Sequence, residues 1–164
     1  MNKASVKLKK IQELCLSKNI TISTAESCTG GYLSKILTDI SGSSKFYVGS
    51  VTAYSNSVKN ELLNVPNDIL EKYGAVSKEV SLLMAEGIFN SIKSEIAIST
   101  TGVMEPNGLT TSKKPQVFIT IKSEKTHVSS HFYLHDERDT NRKKTVNHAL
   151  DCLYDFINNH YLVS

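Results

Sequence analysis

Ile20-Thr21-Ile22-Ser23-Thr24-Ala25 runs directly into Glu26-Ser27-Cys28-Thr29-Gly30-Gly31, and Leu33, Ile36 and Leu37 follow. The β-branched run reads as a strand. The i, i+3, i+4 spacing after it reads as one face of a helix. Two adjacent glycines between them let the backbone turn tightly. Strand, glycine turn and helix in immediate succession open a layered α/β structure.

Working outward, Val6, Ile11, Leu14 and Cys15 stand among lysines and predict an amphipathic helix before that strand. After it, Ser41-Gly42-Ser43-Ser44 breaks the helix, and Phe46 to Tyr54 reads as a second strand. Ser55-Asn56 caps a short helix through Leu63; Pro66 and Asp68 open another, which Gly74 ends. Ser77 caps a long helix carrying Val80, Leu83, Met84, Gly87, Ile88 and Ile92. Ile96–Thr100 predicts the third strand, with a polar loop from Gly102 to Pro115 behind it. Gln116–Lys122 and Val128–Leu134 predict a hairpin through Ser123–Thr126. A last helix from Asp139 buries Val146, Ala149, Leu150, Leu153 and Ile157. Helices before, between and after the strands predict a three-layer α/β/α domain, and the hairpin makes its β-sheet mixed. No repeat or linker divides residues 1–164, which read as a single stand-alone domain.

Composition narrows the function classes. With 164 residues, 40% hydrophobic and 21% charged, the chain has ordinary globular proportions. Cys15, Cys28 and Cys152 are odd in number and unrelated in spacing, so they predict neither a disulfide framework nor a zinc site. No run approaches a membrane span, and four lysines before Ile11 lead into no apolar signal core. A reduced, cytoplasmic setting is expected. A net charge of +3, with one basic cluster at Arg138, Arg142, Lys143 and Lys144, is too mild for a nucleic-acid surface and suits a small anionic ligand.

In open α/β sheets chemistry gathers on loops at strand ends, which selects residues 26–31, 41–59 and 101–115. Ser27 sits like the serine of a nucleophile elbow, although the G-x-S-x-G pattern is absent. N–H groups at the helix start behind it would favour an oxyanion. In the second loop, Lys59 lies about one helical turn after Asn56. A serine attacking an amide needs a proton acceptor, and a desolvated lysine can serve. Spacing alone leaves a helical lysine facing solvent.

Ala25-Glu26-Ser27-Cys28-Thr29-Gly30-Gly31, Gly42-Ser43-Ser44, Tyr54-Ser55-Asn56 with Lys59, and Gly74-Ala75-Val76-Ser77 resemble, in order, the motifs of CinA C-terminal domains. Thr101-Gly102 with Pro106, Lys114-Pro115, and Arg138 with Arg142 continue the series. The chain is therefore identified as a member of that family, which includes nicotinamide-nucleotide amidohydrolases. The resemblance implies deamidation of nicotinamide mononucleotide to nicotinic acid mononucleotide and ammonia, with no metal and no cofactor. It implies catalytic roles for Ser27, Ser44, Tyr54 and Lys59, either serine being the nucleophile. It implies substrate contacts at Cys28, Thr29, Gly30, Gly31, Thr101, Gly102 and Arg142, the arginine clamping the 5′-phosphate. Tyr54 would orient Lys59 or donate to the substrate. The oxyanion would rest on N–H groups of Cys28 to Gly31 or of Ser43 and Ser44. The expected partners are a small nucleotide substrate and further copies of the chain, with no nucleic acid and no membrane.

One stretch departs from the family pattern. Glu105, Asn107 and Leu109 stand where glycine is usual, and Val117 replaces another glycine. A carboxylate at Glu105 would repel a phosphate there, with Lys113 and Lys114 as partial compensation. This altered 101–117 region motivates the alternative of a catalytically impaired nucleotide-binding or regulatory domain. Two other readings fall away. His127, His131 and His135 alternate along a strand, and four strand residues span about 13 Å, too far to share one ion. Cys28 at a helix start invites a thiolate nucleophile, against the commoner role of a small buried residue.

Overall fold

Asn19 takes up a left-handed backbone conformation, and the Ile20 N–H returns to the Cys15 carbonyl at 2.9 Å, closing the first helix. Thr21 is tied through its N–H to Glu95 Oε2 at 2.8 Å. The first strand therefore begins at Ile22, two residues later than the β-branched run suggests. The computed structural model describes residues 3–106 and 114–161. In chain order it places α1 (Lys3–Lys18), β1 (Ile22–Glu26), α2 (Tyr32–Thr38), a single 3-10 turn (Ser43–Lys45), β2 (Tyr47–Thr52) and α3 (Asn56–Leu63). Then come α4 (Asn67–Tyr73), α5 (Lys78–Ser91), β3 (Ile96–Val103), β4 (Gln116–Lys122), β5 (His127–Tyr133) and α6 (Arg138–Tyr161).

The five strands form one sheet in the order β2-β1-β3-β4-β5. β1 pairs in parallel with β2 and β3, and the β3–β4 and β4–β5 pairs are antiparallel, so the sheet is mixed as expected. Two apolar layers cover its faces. Leu8, Ile11, Leu33, Leu37, Val146, Leu150 and Leu153 bring α1, α2 and α6 onto one side. Leu63, Leu70, Val80, Met84 and Ile88 bring α3, α4 and α5 onto the other. Gly87 permits the second layer: a Cβ there would lie 2.1 Å from the Leu63 carbonyl oxygen, so only glycine lets α5 touch the end of α3. Ser55 and Ser77 cap α3 and α5 by accepting from the N–H groups of Val58 and Val80, as the sequence predicts.

One expected boundary is wrong in a consequential way. β3 does not end at Thr100; Thr101, Gly102 and Val103 continue it, opposite Phe118, Val117 and Gln116. Gly102 makes this possible, since a Cβ would meet the Gln116 carbonyl oxygen at 2.5 Å and the Val117 side chain at 3.1 Å. Glycine on one strand accommodates valine on the other. Asn107, Leu109 and Lys113, also read as part of the altered region, lie outside the described residues.

β1 leads through α2 on one face, whereas β2 leads through α3, α4 and α5 on the other. A crevice opens outside the carboxyl ends of strands whose connections diverge in this way. The last residue of β1, Glu26, is paired with Thr52 and Thr100 at that end.

Candidate active site

Glu26 is fully buried, and its carboxyl group faces the first turn of α2. One oxygen accepts from Thr29 Oγ1 at 2.6 Å, the Leu33 N–H at 3.0 Å and the Gly31 N–H at 3.1 Å. The other accepts from the Ser34 N–H at 2.8 Å and from the Ser34 hydroxyl. A carboxyl group over the positive end of a helix, accepting its unpaired N–H groups, is a favourable and rigid arrangement. The helix start that the sequence offered to an oxyanion is therefore occupied from within the chain. The Gly30 N–H is also taken, by the Ser27 carbonyl at 3.0 Å. Of the N–H groups in this turn, those of Cys28 and Thr29 are not among these pairs. Gly30 and Gly31 have φ values of 59° and 91° and shape the turn.

This clamp presents Ser27 at the bottom of a cavity of about 200 Å³. The cavity is lined by Ser27, Cys28, Tyr54, Asn56, Lys59, Ala75, Val76, Thr101, Gly102, Val103, Met104, Glu105 and Arg138. Lys59 is only 1% exposed. It stands in the first turn of α3 on the same buried stripe as Leu63, so its side chain points in toward the end of β1. Its Nζ lies 3.0 Å from Ser27 Oγ, 2.8 Å from the Ala53 carbonyl oxygen and 3.5 Å from that of Tyr54. Burial holds its pKa below the ordinary lysine range, with the neighbouring Cys28 acting weakly the other way. As a free amine it has two N–H bonds for the two carbonyls and one lone pair for the Ser27 hydroxyl proton. That is the hydrogen-bond inventory of a general base on a serine.

Cys28 also lines the cavity, but burial pushes its thiol up to about 12, so it remains protonated. Thr101 is buried and donates to the Ala75 carbonyl at 2.6 Å, closing the wall toward α5. Thr29 donates to Glu26 beneath the floor.

The rim differs from what the motifs suggest. Tyr54 faces the cavity, but its hydroxyl accepts from Arg138 Nη2 at 2.6 Å and it meets Lys59 only through its carbonyl. Arg138 Nη1 lies 3.4 Å from Glu105 Oε1. Arg142, one turn further along α6, does not line the cavity. Ser44 is exposed on the 3-10 turn and does not line it either, and the Ser43 N–H is engaged by the Ile40 carbonyl at 3.2 Å. Arg138 and Glu26 are the residues that sequence reasoning passed over as parts of the site. Arg138 stands in the sequence only as a member of the basic cluster and as a motif partner of Arg142, without a site role of its own. Glu26 had a signal: a carboxyl side chain directly ahead of a glycine helix start.

Among the described residues no three His, Cys, Asp or Glu side chains are placed to hold a metal ion. His131 instead stacks on Phe118 with ring centroids 4.2 Å apart and bonds Gln116 Oε1 at 2.8 Å. No helix among the described residues is long and apolar enough to cross a membrane.

Comparison with known proteins matches residues 5–157 to the family model described as CinA C-terminal domain. A CinA-like protein of Cytophaga hutchinsonii is 39% identical over 138 residues, covering 83% of this chain and 33% of that protein. One of Leptospira interrogans is 42% identical over 126 residues, covering 75% and 30%. The chain thus spans about a third of the length of these curated relatives. Among solved structures, competence damage-inducible protein A of Klebsiella pneumoniae superposes with a TM-score of 0.91 at 25% identity, covering 98% of this chain and 99% of that one. A competence/damage inducible protein of Agrobacterium tumefaciens gives 0.87 at 29%, covering 94% and 96%.

Proposed function

The chain belongs to the CinA C-terminal domain family, and from that premise we propose that it hydrolyses a nicotinamide-type carboxamide, with Ser27 as nucleophile and Lys59 as base. The substrate that the family resemblance implies is nicotinamide mononucleotide, giving nicotinic acid mononucleotide and ammonia. The observation carrying this reading is a buried amine 3.0 Å from a serine hydroxyl at the bottom of a strand-end cavity. In the first step Lys59 Nζ takes the Ser27 proton while Oγ bonds to the carboxamide carbon. The carbon–nitrogen bond then breaks, and the nitrogen leaves as ammonia with the proton returned by Lys59. Water, deprotonated by the same amine, cleaves the acyl ester and regenerates Ser27. The N–H of Cys28, a cavity-lining residue next to the nucleophile, is the candidate oxyanion donor. Ser27 is favoured over Ser44 because only Ser27 has the amine beside it.

Ammonia release from nicotinamide mononucleotide checks the assignment. Ser27→Ala and Lys59→Ala should each lower kcat by about a thousandfold or more, while Ser44→Ala stays within about tenfold of wild type. Equal rates for wild type and Lys59→Ala would end the lysine mechanism. Loss in Ser44→Ala alone would transfer the nucleophile to that serine.

A further inference from the structure

Among the described residues, the ionisable side chains lining the cavity are Cys28, Tyr54, Lys59, Glu105 and Arg138. Burial raises the Cys28 thiol pKa and lowers that of Lys59, and both side chains are buried. At the mouth the Arg138 guanidinium and the Glu105 carboxylate face each other at 3.4 Å. Both are substantially exposed, so the pair contributes little to stability. Its consequence is electrostatic. A lone guanidinium at the mouth would attract an anionic substrate tail, whereas a guanidinium with a carboxylate beside it presents almost no net charge. The pair does present N–H donors next to carboxylate acceptors, which suits hydroxyl groups that both accept and donate.

From this we infer that Glu105 is a specificity-determining residue. It neutralises Arg138, so the site gains little from a substrate phosphate and takes the unphosphorylated nucleoside amide at least as well as the mononucleotide. The inference rests on the amidohydrolase reading for its substrates, but the charge relation itself is independent of turnover.

The test compares nicotinamide riboside with nicotinamide mononucleotide on the full chain, as kcat/KM for ammonia release and, on Lys59→Met variants, as dissociation constants by calorimetry. For wild type, mononucleotide should hold no advantage over riboside beyond about threefold. Glu105→Gln keeps the size and hydrogen-bonding capacity and removes the charge; it should move the ratio toward mononucleotide by about tenfold. Glu105→Gln combined with Arg138→Gln should return the ratio to the wild-type value, because the freed guanidinium is what the phosphate would use. A ratio unmoved by Glu105→Gln, or a wild type that favours mononucleotide a hundredfold, would overturn the assignment. Should no amide be hydrolysed while the binding ratio still shifts, the hydrolase reading falls and the role of Glu105 stands. Turnover with an unmoved ratio gives the reverse result.

Discussion

At the cavity floor Ser27 and Lys59 are 8% and 1% exposed, whereas at the rim Tyr54 is 58% exposed and the side chains of Glu105 and Arg138 are 45% and 39% exposed. The same kinds of bond have different weight in the two places. On the floor every polar group is removed from water, so a lost partner costs the full desolvation of the other. At the rim water replaces a lost partner and salt screens what remains. The floor is accordingly dense in bonds: Glu26 accepts five, and Lys59 Nζ lies within reach of three oxygens. The rim is a short chain of exposed contacts, Glu105 to Arg138 to Tyr54. Chemistry resides where rearrangement is expensive, and discrimination between substrates where it is cheap.

Glu26→Gln puts the largest strain on that contrast. Either orientation of the amide turns an NH2 group toward backbone N–H donors, because both carboxyl oxygens accept from them. Stability should fall by about 2–4 kcal/mol, read from the urea midpoint at unchanged slope. A cost under about 0.5 kcal/mol would show that the floor is not over-determined. Where the variant folds, kcat should fall more than KM rises, since α2 and Ser27 lose their common anchor.

Lys59→Met separates the cost of a buried amine from its use. In the unfolded chain Lys59 has an ordinary pKa, and burial lowers it in the folded state. Between the two values the unfolded chain holds a proton that the folded chain has released, so wild-type stability rises with pH across that window. Below the folded-state pKa the penalty is fully present; above about pH 10.4 it is gone. Lys59→Met should flatten this slope and be as stable as wild type at neutral pH, to within about 1 kcal/mol, with turnover lost. Wild-type kcat/KM should rise with pH through the same depressed pKa, as a free-amine base requires. An unchanged stability slope in the variant would mean that Lys59 is not the group responsible.

How these residues were legible follows the same division. Ser27 could be found from local pattern, because a β-branched run, two glycines and a helical stripe fix a serine at a strand end. Lys59 could not: the i, i+4 stripe with Leu63 was visible, but its partners Ser27, Ala53 and Tyr54 come together with it only in the folded chain. Only the family resemblance singled it out. Glu26 is quoted in the motif without a role because a charged residue ending a strand reads as a boundary, and its five bonds form only once the start of α2 is in place. Arg138 and Arg142 lie one turn apart on α6; periodicity ranks them together, whereas the start of the helix beside the cavity selects Arg138. The end of β3 was misplaced because the pairing of Gly102 with Val117 is a contact between distant strands.

Tyr54→Phe asks the smallest and sharpest question, because it alters the rim at a residue whose backbone belongs to the floor. The Tyr54 carbonyl faces Lys59 Nζ at 3.5 Å, while its hydroxyl, on the exposed side, accepts from Arg138 Nη2. Removing the oxygen leaves the carbonyl, the ring and the amine in place. The Arg138 side chain is 39% exposed, so its freed donor turns to water. Stability should change by less than about 0.5 kcal/mol, kcat by no more than about threefold, and any larger effect should fall on KM. A hundredfold loss in kcat with KM unchanged would place the phenolic hydroxyl in the transition state. The boundary between floor and rim would then have to be redrawn to include it, because an exposed contact with Arg138 alone does not carry an effect of that size.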